Sequence, residues 1–127
     1  MTPMLLGLRT VIFHVDDIEK AKAWYAKALG IAPYFAEPYY VGFKVAGFEL
    51  GLDPDPAAGK PGPGGTVAYW GVENAERAWK ELLAVGAKPH SEVRDVGEGI
   101  RVATVRDPFG NVLGIIENPN FNPREVR

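Results

Sequence analysis

A strand–turn–helix stretch occurs twice in this chain, and the duplication restricts the folds that the sequence can adopt. Residues 10–30 read as a short apolar strand, an acidic turn and an amphipathic helix that stops at a glycine, and residues 66–86 repeat this plan. Val15 corresponds to Val72, an offset of 57 residues. A repeat of this length is typical of two copies of a supersecondary module. It predicts an internal twofold relation, with function expected on the surface that the two copies share.

The composition excludes several classes of function. With 127 residues the chain has the length of one domain, and a net charge of −2 without any run of Lys or Arg argues against binding to nucleic acid or to an anionic membrane. The absence of cysteine excludes disulfides, thiolate metal sites and a cysteine nucleophile. No stretch has the pattern of a signal peptide or the length of a membrane span. We therefore expect a cytoplasmic protein.

Three strands are predicted to follow the first helix. The segment 33–38 is an edge strand, because its prolines cannot donate to a sheet. The segments 40–45 and 48–53 form a tight hairpin, which pairs Lys44 with Glu49. Alternation puts an apolar face against the helix, and the opposite face is polar with small gaps. That opposite face comprises Tyr40, Gly42, Lys44, Glu49, Gly51 and Asp53.

The second copy follows a linker rich in proline and glycine. Its helix starts at Glu73 or Asn74, and a weak edge strand at 88–94 and a turn at 96–99 come next. A last hairpin, 100–106 with 111–118, surrounds the turn residues Asp107-Pro108-Phe109-Gly110. Both helices have an apolar stripe. We expect all three tryptophans in the core, namely Trp24, Trp70 and Trp79.

Four of these segments together resemble the vicinal oxygen chelate superfamily, the glyoxalase/bleomycin-resistance/dioxygenase group. They are residues 15–18, the pair Trp24-Tyr25 with Leu29-Gly30, residues 72–75, and residues 107–111. The resemblance implies an α+β fold of two βαβββ modules, with mixed sheets curled into a cup. It also implies a homodimer, although a cup built within one chain suits the sequence equally well. The expected single domain, 1–127, divides into module one (8–53), a linker (54–65), module two (66–117) and a tail (118–127).

The resemblance also implies where a divalent metal ion would bind. Position by position, the four ligand positions of metal-dependent members correspond here to Thr10, Glu49, Val67 and Gly114. A divalent ion needs three or four converging nitrogen or oxygen donors, and only Glu49 is a good ligand. We therefore predict neither a metal nor another cofactor.

The remaining residues of the predicted cup suit a small organic ligand. His14 shares a strand face with Thr10 and Ile12, so it is predicted either to contact a ligand or to be a hydrogen-bonded histidine at the strand end. Glu49 is predicted either to pair with Lys44 or to contact the ligand. Tyrosines and glycines give a flat, open surface. The predicted ligand-binding residues are His14, Tyr40, Glu49, Tyr69, Thr10, Ile12 and Lys44.

Three functions fit this pattern. The first is a metal-free protein, similar to bleomycin-resistance proteins, that binds a hydrophobic or aromatic small molecule. The second is a lyase, isomerase or dioxygenase with a non-standard metal site, for which His14, Glu49 and Asp53 are an allowed ligand set. The third is a cofactor-free enzyme with His14 or Glu49 as its base. A purely structural or partner-binding role is also compatible, and His90, on the weak edge strand, is expected to be solvated.

Overall fold

The computed structural model describes residues 4–126 and divides them into two compact units. One unit, module one, contains Thr10–Val67 together with residues 122–126. The other, module two, contains residues 4–9 together with Ala68–Phe121. The predicted domain begins at residue 1 and its tail ends at residue 127, and both of these ends lie outside the described residues.

Module one has the order strand, helix, strand, strand, strand. Its sheet has the strand order β2-β3-β4-β1, with β1 parallel to β4 and the other neighbours antiparallel. The Asp17 side chain caps the helix by accepting a hydrogen bond from the Lys20 backbone, and Gly30 ends it at φ 71°. The elements are β1 (Leu8–His14), α1 (Ile18–Leu29), β2 (Phe35–Glu37), β3 (Tyr40–Val45) and β4 (Phe48–Asp53).

The β3–β4 hairpin has the predicted register. Lys44 pairs with Glu49, and the two turn residues, Ala46 and Gly47, both have positive φ, at 51° and 93°. Such a turn matches the twist of the two strands. The hairpin therefore presents its apolar face to α1, where the buried residues are Val41, Phe43 and Leu52.

Trp24 is not part of this core, so its prediction was wrong. Ile18, Tyr25 and Leu29 pack against the sheet, whereas Trp24 is 62% exposed and makes an edge contact with the Tyr25 ring. At about 100° per residue, Trp24 lies roughly 120° around the helix from Ile18, beyond the buried stripe. The three- and four-residue spacing of the apolar residues had included Trp24 in the helix face that was predicted to be buried.

Module two repeats the element order. Its sheet has the strand order β5-β8-β7-β6, again with one parallel neighbour pair, β5 with β8. Asn74 caps the helix. The predicted helix stripe is confirmed, since Ala75, Ala78 and Leu82 are buried and Trp79 donates a hydrogen bond to the Thr104 carbonyl. The elements are β5 (Thr66–Gly71), α2 (Ala75–Ala84), β6 (Lys88–Gly97), β7 (Ile100–Arg106) and β8 (Val112–Glu117).

The end of one strand and the structure of the tail differ from the prediction. Strand β6 continues to Gly97 because the turn to β7 is tighter than expected, with Glu98 and Gly99 both at positive φ. The predicted polar tail contains a short 3-10 helix, Pro123–Glu125, that packs on the β3–β4 turn. A Cβ atom at Gly47 would lie 2.9 Å from the Val126 backbone nitrogen, so the turn glycine admits this contact.

The predicted fold class is confirmed as α+β, with two βαβββ modules and a mixed sheet in each. Within residues 4–126, no helix has both the length and the apolar character needed to cross a bilayer.

Candidate functional site

The candidate site is the open face of module one, defined as the face of β1–β4 opposite helix α1. Here Thr10 pairs with Glu49 on the neighbouring strand, and Glu49 pairs with Lys44. The Thr10 hydroxyl, in a side chain that is 5% exposed, donates to Glu49 Oε1 over 3.1 Å. The Tyr34 hydroxyl donates to Oε2. Two hydroxyl groups therefore fix both oxygens of one carboxylate.

Tyr34 was not among the predicted site residues. It precedes the short edge strand β2, and its ring lies over Gly42 of β3, where a Cβ atom would be 2.9 Å from Tyr34 Cε1 and 2.6 Å from Glu49 Oε2. Glycine at position 42 is thus needed for the Tyr34–Glu49 contact. A glycine within a strand often marks such a close approach, and this was the signal in the sequence.

Lys44 has a different partner from the one predicted. Its ammonium group pairs with the Glu125 carboxylate over 3.6 Å and lies 5.8 Å from the centre of the Tyr34 ring. The 3-10 helix of the tail supplies Glu125, and the sequence did not place that helix beside β3. The Lys44 charge is therefore directed toward Glu125, and Glu49 is held by hydroxyl groups.

His14 is buried beneath the linker. Its ring is 8% exposed, and Nδ1 lies 2.5 Å from the Gly65 carbonyl oxygen, which also accepts the His14 backbone N–H over 3.2 Å. Because a carbonyl group only accepts, Nδ1 carries the proton. A Cβ atom at Gly59 would lie 2.8 Å from the ring. This geometry is that of the hydrogen-bonded histidine at the strand end.

Two tyrosine rings fill the space that neighbouring glycines leave. In module one the Tyr40 ring covers Gly51, where a Cβ atom would lie 2.7 Å from Tyr40 Cζ. In module two the Tyr69 ring covers Gly114 in the same way, with its Cδ2 atom at 2.6 Å. The glycines were predicted to open space for a ligand, and each instead admits a tyrosine. Ile12 of β1 pairs with Gly51 and is half-buried.

Exposed aromatic side chains surround the β2–β3 corner of the open face. Tyr34 is 58% exposed, and Phe35 and Tyr39 are exposed as well. The Phe35 ring contacts both Tyr39 and Tyr40, at centroid distances of 6.1 and 6.2 Å. This face of module one therefore combines an aromatic surface with an oriented carboxylate.

In module two, His90 is exposed and lies at an irregularity of the β6–β7 register, between Pro89 and Ser91. Its Nδ1 atom lies 2.8 Å from the hydroxyl oxygen of the buried Thr104. The prediction of a solvated position agrees with this exposure, although the contact with Thr104 was not foreseen.

The family model of the glyoxalase/bleomycin resistance protein/dioxygenase superfamily matches residues 7–115. The chain belongs to this superfamily. The resemblance inferred from the four sequence segments is thus confirmed, and the superfamily's duplicated βαβββ plan accounts for both modules. Among curated proteins, no sequence matches the chain.

Solved structures of this superfamily share the fold at low sequence identity. The methylmalonyl-CoA epimerase of Mycobacterium tuberculosis is 18% identical, with a TM-score of 0.70 over 98% of this chain and 93% of that chain. A methylmalonyl-CoA epimerase solved in complex with methylmalonyl-CoA and NH4+ is 13% identical, with a TM-score of 0.72 over 93% of this chain and 98% of that chain. A superfamily member from Vibrio splendidus 12B01 is 17% identical, with a TM-score of 0.64 over 87% and 99%. At such identities the likeness establishes the fold alone.

The donor set does not suit the divalent ion of metal-dependent members of the superfamily. Val67 and Gly114 have no side-chain atom that can bind a metal ion, and the Thr10 hydroxyl group donates a hydrogen bond to Glu49. Within residues 4–126, no three His, Asp or Glu side chains converge as a metal site requires, so His14, Glu49 and Asp53 do not form the alternative ligand set.

Proposed function

We propose that this protein binds a planar aromatic small molecule on the open face of module one, without a metal ion. The observation that carries this proposal is the Glu49 carboxylate, which Thr10 and Tyr34 orient beside exposed aromatic rings. The superfamily membership is compatible with small-molecule binding, and the composition of the open face favours an aromatic ligand with a polar group.

The carboxylate specifies the polar part of the ligand. An ionised carboxylate has about four lone-pair positions, and the hydrogen bonds from Thr10 and Tyr34 use two of them. Since Lys44 is paired with Glu125, Glu49 provides the negative charge at the centre of the face. A ligand with an N–H or O–H donor, or a cationic amine, would donate hydrogen bonds to the remaining lone-pair positions of the Glu49 carboxylate. We therefore expect aromatic amines to bind better than aromatic acids.

The aromatic side chains provide the apolar part of the contact. Tyr34 and Phe35 offer exposed ring surface on which a planar ligand can stack, and such ring pairs contribute about 0.5–1.5 kcal/mol each. Ile12 pairs with Gly51, which the Tyr40 ring covers, so both residues line the same face. We assign to His14 the role of holding the linker against β1. The predicted ligand contact of Tyr69, which lies in module two, stays a prediction.

A thermal-shift screen with paired aromatic amines and aromatic acids tests this function. A ligand at about 100 times its Kd should raise the free energy of unfolding by roughly 2.7 kcal/mol. Glu49→Gln should remove the preference for amines, and Tyr34→Leu should weaken binding by about 2- to 10-fold through the lost ring contact. Phe109→Leu is the matched control, because Phe109 is an 86% exposed aromatic side chain in a turn of module two.

The outcome can contradict the proposal in two ways. The absence of a shift with every aromatic compound would exclude the ligand class. Equal weakening by Tyr34→Leu and Phe109→Leu would show that binding does not occur on the open face.

A second candidate is a cofactor-free isomerase with Glu49 as the proton-transfer group. It is favoured by the direct contact between the half-buried Glu49 carboxylate and the Tyr34 hydroxyl, which places a proton acceptor beside a proton donor. Because similar structures include methylmalonyl-CoA epimerases, incubation with methylmalonyl-CoA in D2O provides a test. Exchange of the C2 proton that Glu49→Gln abolishes in a folded protein would support catalysis, and no exchange by the wild type would exclude this substrate.

A further inference from the structure

Arg9 is the second residue of β1, but it belongs to the compact unit of module two, where other residues form a seat for its side chain. Its guanidinium carbon is 3.9 Å from the centre of the Phe121 ring, a stacking distance for a cation on an aromatic face. Gly71 forms another part of the seat, because a Cβ atom there would lie 2.8 Å from Arg9 Nε and 2.9 Å from Cζ. Any other residue at position 71 would push the guanidinium group away, so the glycine and the aromatic ring together fix the orientation of Arg9.

Within the part of the chain that the structure describes, Arg9 has no counter-charge. Across residues 4–126, no carboxylate lies within ion-pair distance of Arg9, and burial lowers its pKa below the usual value. Arg101 of the same module behaves differently, since a hydrogen bond to Glu76 raises its pKa. Arg9 is thus partly desolvated without the compensation that a neighbouring anion gives.

Most hydrogen-bonding capacity of the Arg9 side chain is unused within the described chain. A guanidinium group has five N–H donors in a rigid fork, and here only Nη1 makes a hydrogen bond, to the Leu8 carbonyl oxygen over 3.3 Å. Phe121 covers a face of the group, and stacking leaves the donor edges available. Those edges match the two oxygens of a carboxylate or phosphate group.

We infer that Arg9, seated on Phe121 and Gly71, is the recognition group of an oxyanion site in module two that binds the carboxylate or phosphate of a small molecule. The site is built from residues of module two and has the opposite charge from Glu49 of module one. The inference therefore does not rest on the proposed function.

NMR of the arginine side chains tests this inference directly. Uniformly 15N-labelled protein is titrated with benzoate and, separately, with inorganic phosphate, each at an ionic strength held constant with chloride. We expect a saturable shift of the Arg9 Nε–Hε signal and no comparable shift for Arg77, an exposed arginine on α2. Saturation by benzoate alone identifies a carboxylate site, and saturation by phosphate alone identifies a phosphate site. A shift that follows chloride equally, or that Arg77 shares, would overturn the inference.

Variants separate recognition from a structural role. Arg9→Gln should weaken binding of the effective anion at least 10-fold, whereas Arg9→Lys should keep partial affinity because it retains the charge without the fork. Arg77→Gln is the matched control and should leave the affinity unchanged. If Arg9→Gln does not fold, the wild-type titration decides the question alone. Unchanged anion affinity in a folded Arg9→Gln protein would overturn the inference.

Discussion

Two adjacent glycines in the linker have opposite packing environments. At Gly65 a Cβ atom would overlap the Lys60 carbonyl oxygen, whereas at Gly64 it would meet nothing within 4 Å. Gly65 also accepts two hydrogen bonds from His14. Gly65→Ala should therefore displace the linker from His14 and lower the free energy of unfolding by about 1–3 kcal/mol. Gly64→Ala should stay within about 0.5 kcal/mol of the wild type in urea denaturation. Equal effects of the two substitutions would contradict this account.

Single site residues were predictable where the family resemblance or a local turn places them. The resemblance to the superfamily placed Thr10 and Glu49 in one site, and the hairpin register paired Glu49 with Lys44. Tyr34 and Glu125 could not, since their contacts depend on how a short edge strand and the tail fold back on β3. The sequence did not indicate a role for Arg9, because the residues that form its seat, Gly71 and Phe121, are far from it in the sequence.

The turn between β7 and β8 has a pH-sensitive anchor. Asp107 Oδ1 accepts hydrogen bonds from the backbone N–H groups of Phe109 and Asn111, and the Asn111 bond is the main cause that holds the pKa of Asp107 below its ordinary value of 3.8. A carboxyl group with a lowered folded-state pKa stabilises the fold above its unfolded-state pKa. That contribution is lost as the pH falls from about 3.8 through the lower folded-state pKa.

Asp107→Asn should remove this part of the pH dependence. Asparagine keeps an oxygen acceptor for the turn but does not ionise there, so the stability difference between wild type and variant should shrink as the pH falls below 3.8. Urea midpoints measured from pH 6 to pH 2.5 provide the measurement, and Asp107→Ala, which removes the acceptor, should remain destabilised throughout. A constant difference between wild type and Asp107→Asn would exclude the carboxylate as the pH-sensitive group.

At the level of whole elements, the sequence predicted most of module one and module two. Caps at Asp17 and Asn74 and the two-residue hairpin turn are local signals, because each depends on neighbouring residues only. Errors arose where burial depends on the partner element. Trp24 belongs to an amphipathic helix, but the width of the stripe that α1 buries is set by the sheet beneath it. The longer β6 likewise reflects pairing with β7.

The two modules of the molecule have diverged in the chemistry of corresponding positions. Where the first sequence repeat has Thr10 and Glu49 joined by a hydrogen bond, the corresponding residues of the second repeat are Val67 and Gly114, and the Tyr69 ring occupies the space above that glycine. A duplicated fold survives such changes because its cores, under α1 and α2, involve the opposite sheet faces. The superfamily's fold is thus retained while its usual set of metal donors is not.

This divergence predicts that metal ions leave the stability of the whole molecule unchanged. If the protein bound an ion, a free ion concentration of about 1,000 times the Kd would raise the free energy of unfolding by roughly 4 kcal/mol. A thermal melt resolves a change of this size easily. Protein treated with EDTA and then given Ni2+, Fe2+ or Zn2+ should melt at the same temperature as untreated protein, and metal analysis should find well below one equivalent. His90→Gln controls for weak binding to the exposed histidine. Stoichiometric metal that disappears in Glu49→Gln, but persists in His90→Gln, would show that Glu49 still holds an ion and would contradict this prediction.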